Sequence, residues 1–283
     1  MSTPLAIRQM TPVDLERALD WAAAEGWNPG VDDLKPFLAS DPEGFLVGEL
    51  QGEPVCCISA VRYSDDYGFI GFYICHPDHR GKGYGKAIWD HAIAHMGART
   101  VGLDGVPAQE ESYRSAGFAS DYRTIRHGGL AMAEPPLDPR ISMLGQGILA
   151  SVLAYDRPFV PAGRDRFLKN WCSPMADGRQ GFIFMENGEL RGYGVIRQCR
   201  EGFKIGPLFA DTPDIADALF RALAGQVRGQ FVYLDVPEPN DDALALAEKY
   251  ELSPEFETVR MYKGQTPALA LARTYGVTTL ELG

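Results

Sequence analysis

The 283-residue chain is long for one compact domain and comfortable for two of about 140 residues each. Its 45% apolar and 23% charged residues are those of a folded globular protein, and a formal charge of −11 argues against nucleic acid as a partner, since phosphates are repelled, while leaving room for a cationic small molecule or a basic peptide. No apolar run reaches the roughly 20 residues of a membrane helix, and residues 1–5 lack a basic flank before an apolar core, so a cytoplasmic protein away from membranes is expected.

In chain order, a short strand is expected over residues 5–10. Thr11 caps a helix with Pro12 at its first position, where a missing N–H costs nothing, and Leu15, Ala18, Leu19 and Ala22 mark one face of it. A second short helix covers about 32–39, and strands follow near 45–50, 55–63 and 67–75. A helix opens after Gly83 with Ile88, Trp89, Ala92 and Met96 inward, then a strand over 99–103, a short helix over 109–115 and closing strands over 118–126. This order gives an α/β arrangement, helices covering a mixed sheet. The proline- and glycine-rich stretch from Gly128-Gly129 to Pro139 reads as a connection or the edge of one, because such residues do not continue a helix or a central strand.

The chain also looks written twice. Gly44-Phe45-Leu46-Val47 with its turn at Gln51-Gly52 matches Gly181-Phe182-Ile183-Phe184 with a turn at Asn187-Gly188. Gly71-Phe72-Tyr73-Ile74-Cys75 corresponds to Gly206-Pro207-Leu208-Phe209-Ala210 at nearly the same offset. The expected organisation is therefore 1–130, a linker 131–139, and a second copy of the fold over 140–283, ending in a strand over 277–282.

The stretch that carries chemistry is Gly71 to Lys86. A buried strand ends at His76-Pro77, and the basic, glycine-rich loop Arg80-Gly81-Lys82-Gly83-Tyr84-Gly85 opens a helix. Glycines let backbone N–H groups approach a ligand, the helix N-terminus favours an anion, and Arg80, Lys82 and Lys86 add positive charge, so a pyrophosphate fits. Neither the GxGxxG dinucleotide fingerprint nor the Walker loop is present. The helical spacing of His91 and His95 lacks the glutamate of HExxH, and the five scattered cysteines form no CxxC. No metal site is expected, and the cysteines, Cys75 included, read as reduced core residues rather than disulfides, zinc ligands or an acylated nucleophile.

The loop at 80–85 resembles the [Q/R]-x-x-G-x-[G/A] signature of the GNAT superfamily of N-acetyltransferases, and Tyr113-Arg114-Ser115-Ala116-Gly117-Phe118 is similar to that family's Tyr-Glu-Lys-x-Gly-Phe at family spacing. The resemblance covers about 4–128, and the second half looks like a diverged copy, so the whole resembles a tandem-GNAT protein with partly splayed sheets. It implies that acetyl-CoA is the acyl donor: residues 80–85 and Lys86 wrap its pyrophosphate, the strand edge at Ile74-Cys75-His76 pairs with its pantetheine amides, and Tyr113 protonates the leaving sulfur. The reaction implied is direct attack by a small-molecule amine or a peptide amine in a ternary complex. An amine attacks only when neutral, so a base is needed; the family's carboxylate position falls on Gly68, and of the nearby carboxylates Asp66 and Asp104 neither is favoured. In the second half Asp211-Thr212-Pro213-Asp214 replaces the phosphate loop and Ala247 stands at the tyrosine position, so that copy is expected to have lost the cofactor site. Two other functions stay open at this point: an acyl-CoA sensor without turnover, and aminoacyl or peptide-bond transfer.

Overall fold

A computed structural model describes residues 4–173 and 178–283. The first half runs β1 (Ala6–Gln9), α1 (Pro12–Ala24), α2 (Leu34–Ser40), β2 (Phe45–Leu50), β3 (Glu53–Arg62), β4 (Tyr67–Cys75), α3 (Tyr84–Met96), β5 (Thr100–Gly105), α4 (Glu110–Ser115) and β6 (Ala119–Leu130). The second runs β7 (Ile141–Met143), α5 (Leu149–Asp156), α6 (Asp165–Trp171), β8 (Arg179–Glu186), β9 (Glu189–Gln198), β10 (Phe203–Ala210), α7 (Pro213–Ala224), β11 (Phe231–Pro237), α8 (Asp241–Lys249), β12 (Ser253–Lys263) and the short β13 (Thr274–Gly276).

The local signals act as their chemistry dictates. Thr11 and Asp14 form a reciprocal capping box at the start of α1, and Thr212 accepts from the Ile215 N–H at the start of α7. The hairpin turns at Gln51-Gly52 and Asn187-Gly188 both take two successive positive φ values (56° and 86°, 52° and 80°), the backbone of a type I′ turn. Ile88, Ala92 and Met96 of α3 are fully buried beneath the first half's sheet, and Leu219 and Leu223 of α7 hold the same place in the second.

The two halves share one continuous sheet, ordered β1-β2-β3-β4-β5-β12-β6-β11-β10-β9-β8-β7. Each half gives a strand near its end to the other, β6 from the first and β12 from the second. β6 pairs with β11, β12 pairs with β5, and the two exchanged strands lie side by side with Thr124 opposite Thr258. Matching ion pairs lock the exchange. Arg260 on β12 forks onto Asp104 of β5 with two hydrogen bonds of 2.7 Å, and Arg126 on β6 forks onto Asp235 of β11 at 2.7 and 2.9 Å. Bidentate geometry of this kind satisfies both carboxylate oxygens while the side chains are out of water.

Two expectations fail here. Gly128 and Gly129 belong to β6, a central strand paired on both flanks, and not to a connection. They are glycines because neighbours crowd them: a Cβ at Gly128 would lie 2.7 Å from the Glu255 carboxylate, and one at Gly129 would lie 2.9 Å from the Leu252 side chain. Residues 277–282 are buried yet form no strand; the strand is β13, just before them.

Candidate active site

β4 and β5 run parallel only from Tyr67 opposite Thr100 to Ile70 opposite Leu103. Beyond that point β5 stays with β12, while β4 stays with β3 through a register shift at a bulge where Phe72 takes a φ of 46°. The strands part, and a wedge opens at their ends. A cavity of about 460 Å³ fills it, bounded by Ile70 to Cys75 of β4, by Arg80, Gly81, Gly83, Gly85 and Lys86 of the next loop and helix, and by Asp104 and Tyr113.

The loop has a backbone that could hold an anion. Gly81 and Gly83 have φ of 72° and 85°, a region costly for any residue with a Cβ, and nothing lies within 4 Å of where such a Cβ would point. Gly83 is the N-cap of α3 and no side chain caps that helix, so the first-turn amides are available to a ligand. Arg80 is held in place from two sides: its Nε donates to the Cys75 carbonyl at 2.9 Å and its guanidinium contacts Glu25 at the end of α1. Lys82 turns back to the Asp78 carbonyl, and Lys86 pairs with Asp90 at 2.5 Å.

Tyr113 sits across the wedge. Its ring lies against Gly105, where a Cβ would come within 2.5 Å of it, and packs on Trp89 and Phe118 at centroid distances of 5.5 and 6.4 Å. Trp89 also packs on Tyr73 at 5.2 Å, so β4, α3 and α4 all fix the phenol's position. Burial pushes its hydroxyl well above the ordinary 10, which keeps it protonated at neutral pH. Burial likewise raises the Cys75 thiol, opposed by Arg80, so the neutral form dominates there too.

The structure gathers Ile74, Cys75, Arg80, Gly81, Gly83, Gly85, Lys86 and Tyr113 around one cavity. His76 and Tyr84 instead line a neighbouring depression beside the β2–β3 hairpin, and Lys82 borders neither. Gly68 has no room for a side chain, since a Cβ would lie 2.6 Å from the Met96 sulfur. Asp66 is exposed in the turn before β4, at the end of that strand away from Ile74 and Cys75. Asp104 reaches the cavity, but Arg260 occupies both of its oxygens.

From the sequence the second half is expected to shape the acceptor pocket or brace the first half, but the residues through which it does so carry no signal there. Phe256 and Thr258 from the exchanged β12, together with Leu280 and Glu281, line the same cavity as Trp27 of the first half. After β13 the chain crosses the seam, and the Glu281 carbonyl presses so closely on Gly71 that a Cβ there would sit 2.0 Å from it.

The corresponding wedge of the second half is closed. β10 and β11 pair in parallel only from Phe203 opposite Val232 to Ile205 opposite Leu234. There β13 adds to β10, Leu208 opposite Gly276 and Phe209 opposite Thr274, and the Val277 N–H bonds the Asp235 carbonyl. The chain's own strand thus occupies the edge that corresponds to Ile74 and Cys75. Asp211, at the loop position, is engaged by Tyr155 and Arg273.

Comparison with known proteins finds relatives of both halves. The family model described as "Acetyltransferase (GNAT) family" matches residues 13–118, and one described as "Acetyltransferase (GNAT) domain" matches 152–276. Holothin acyltransferase of Pseudoalteromonas sp. is 34% identical over 265 residues, covering 93% of this chain and 90% of that protein. Among solved structures, a candidate acetyltransferase from Pyrococcus horikoshii superimposes with a TM-score of 0.82 at 24% identity, over 99% of this chain and 96% of that one. A tandem GNAT protein from the clavulanic acid biosynthesis pathway gives 0.62 at 16% identity, over 93% of this chain and all of that one. Among the described residues no helix is long and apolar enough to cross a membrane. With two such domains in tandem, sharing one sheet, the chain belongs to the GNAT family of acyltransferases.

Proposed function

We propose that the protein transfers acetyl, or another short acyl group, from acyl-CoA to an amine by direct attack in a ternary complex, and that only the first half carries the donor. The observation that carries this reading is the open wedge between β4 and β5 leading to the uncapped start of α3, with Tyr113 across from it. The pyrophosphate lies on the amides of residues 81–85 near Arg80 and Lys86, and the pantetheine arm runs along Ile74 and Cys75, with His76 at the end of that edge. A backbone N–H at the bulge polarises the thioester carbonyl as its carbon becomes tetrahedral. Tyr113 then donates its proton to the departing sulfur. The occupied wedge supports a second half that shapes the acceptor side without binding CoA. The likeness to Holothin acyltransferase supports acyl transfer, and a small-molecule amine or a peptide amine is the acceptor we propose. A cytoplasmic location is part of the same proposal and is compatible with an acyl-CoA donor.

Gly83→Val tests the anion site. Forcing a β-branched residue into a left-handed N-cap should weaken CoA binding at least tenfold in calorimetry; the backbone strain costs about 1–3 kcal/mol of stability, so binding is measured at a temperature where the variant is fully folded. Tyr113→Phe keeps the ring packing and removes only the acid. Its kcat should fall about 10²-fold while CoA affinity stays within twofold. Normal CoA affinity in the valine variant, or normal kcat in the phenylalanine variant, refutes the corresponding role.

A further inference from the structure

One end of the cavity, beside Phe256, Thr258, Leu280 and Glu281, is built by the second half. Two polar groups lie there. The Thr258 hydroxyl is buried without a partner, although it lines the cavity. Glu281 is only 4% exposed, lines the same cavity, and accepts from the Thr279 hydroxyl through Oε2. A buried hydroxyl left without a partner beside a cavity is expensive unless a ligand satisfies it, and a carboxylate beside it adds an acceptor for the same ligand. Around them Trp27, Phe256 and Leu280 supply apolar walls.

The geometry points to this end as the acceptor site, taking a compact amine that carries an apolar body, with Glu281 as the proton acceptor. This rests on the acyl-transfer reading above. The amine arrives as an ammonium, and its N–H groups bond the Glu281 carboxylate and the Thr258 hydroxyl. Glu281 takes one proton and frees the lone pair, which forms the C–N bond at the thioester carbon. The C–S bond breaks with its electron pair going to sulfur; Tyr113 protonates that sulfur and is restored by the second proton leaving nitrogen. The products are an amide and free CoA, with one proton left on Glu281 for release to solvent. The charged groups that interact electrostatically with Glu281 include Arg126 of β6, Arg197 of β9, Lys204 of β10 and Asp104 of β5.

The test compares two probe amines with acetyl-CoA as donor, following thiol release. Benzylamine is an ammonium at neutral pH and must lose a proton before attack, whereas aniline is already neutral because its lone pair is shared with the ring. Glu281→Gln should lower kcat/KM for benzylamine about 10²-fold and leave aniline within threefold. Thr258→Val should raise KM for benzylamine with a smaller effect on kcat. Equal losses for both amines in Glu281→Gln, or no loss for either, overturn the proton-acceptor role. CoA calorimetry on the same variants separates the two readings: retained CoA binding leaves the donor site standing when the acceptor assignment fails.

Discussion

Deleting residues 277–283 is expected to abolish acyl transfer and to lower unfolding stability by on the order of 5 kcal/mol. Val277, Leu280 and Leu282 are all buried, and each apolar side chain withdrawn from water contributes about 1.5–3 kcal/mol. The polar anchors fail with them. Arg164 donates to the Thr278 hydroxyl at 2.7 Å and to the Gly283 carbonyl at 3.1 Å, and the Tyr63 hydroxyl donates to the Leu282 carbonyl at 2.9 Å. The Arg164–Asp156 pair survives, so the loss is local to the seam and does not unravel α5 and α6. Thermal and urea unfolding measure the stability, and thiol release measures the activity. A truncated protein that keeps both would show that this segment neither closes the seam nor completes the site.

The second large effect concerns the ion pairs that hold the exchanged strands. Asp235→Ala leaves the Arg126 guanidinium buried against Phe256 with no carboxylate, at an expected cost of about 3–5 kcal/mol. The double variant Arg126→Met/Asp235→Leu should recover most of that, because it buries no charge. Burial by itself would raise the Asp235 carboxyl, but Arg126, with Lys204 and Arg197 beyond it, holds it below the ordinary 3.8. A depressed carboxyl contributes stability above that ordinary value and loses it as pH falls below. Urea unfolding at pH 3 and pH 6 should therefore show a larger acid loss in the wild type than in the double variant. Equal losses would mean that the pair does not couple folding to protonation.

Much of this could be read in the residues, and the gaps have physical reasons. The capping threonines, the hairpin turns and the glycine loop are local signals, fixed by chemistry within a few residues, and they place α1, α7, the hairpins and the start of α3 correctly. Strand exchange is not local. Alternating side chains tell a strand which face is buried but not which neighbour it pairs with. A trace was nevertheless present: Tyr122-Arg123-Thr124-Ile125-Arg126 and Phe256-Glu257-Thr258-Val259-Arg260 are related segments, as are Leu103-Asp104 and Leu234-Asp235. These are the residues of the paired locks and of the threonines between them. Gly128-Gly129 misled because glycine marks close approach as well as turns, and only the neighbours decide which. Glu281 carries no motif at all; the run Thr278-Thr279-Leu280-Glu281 acquires its place solely from where the seam leads it.

The traded closing strands also set an order of events during synthesis. Residues 1–130 leave the ribosome first, yet the outer edge of β5 waits for β12, with 156 positions separating Asp104 from its arginine. Through that interval the nascent first half displays an unsatisfied ladder edge, the kind of surface that recruits other chains. Pairing over so long a loop is slow. The wall of the cavity that Phe256, Thr258, Leu280 and Glu281 supply is therefore the last part of it to be assembled.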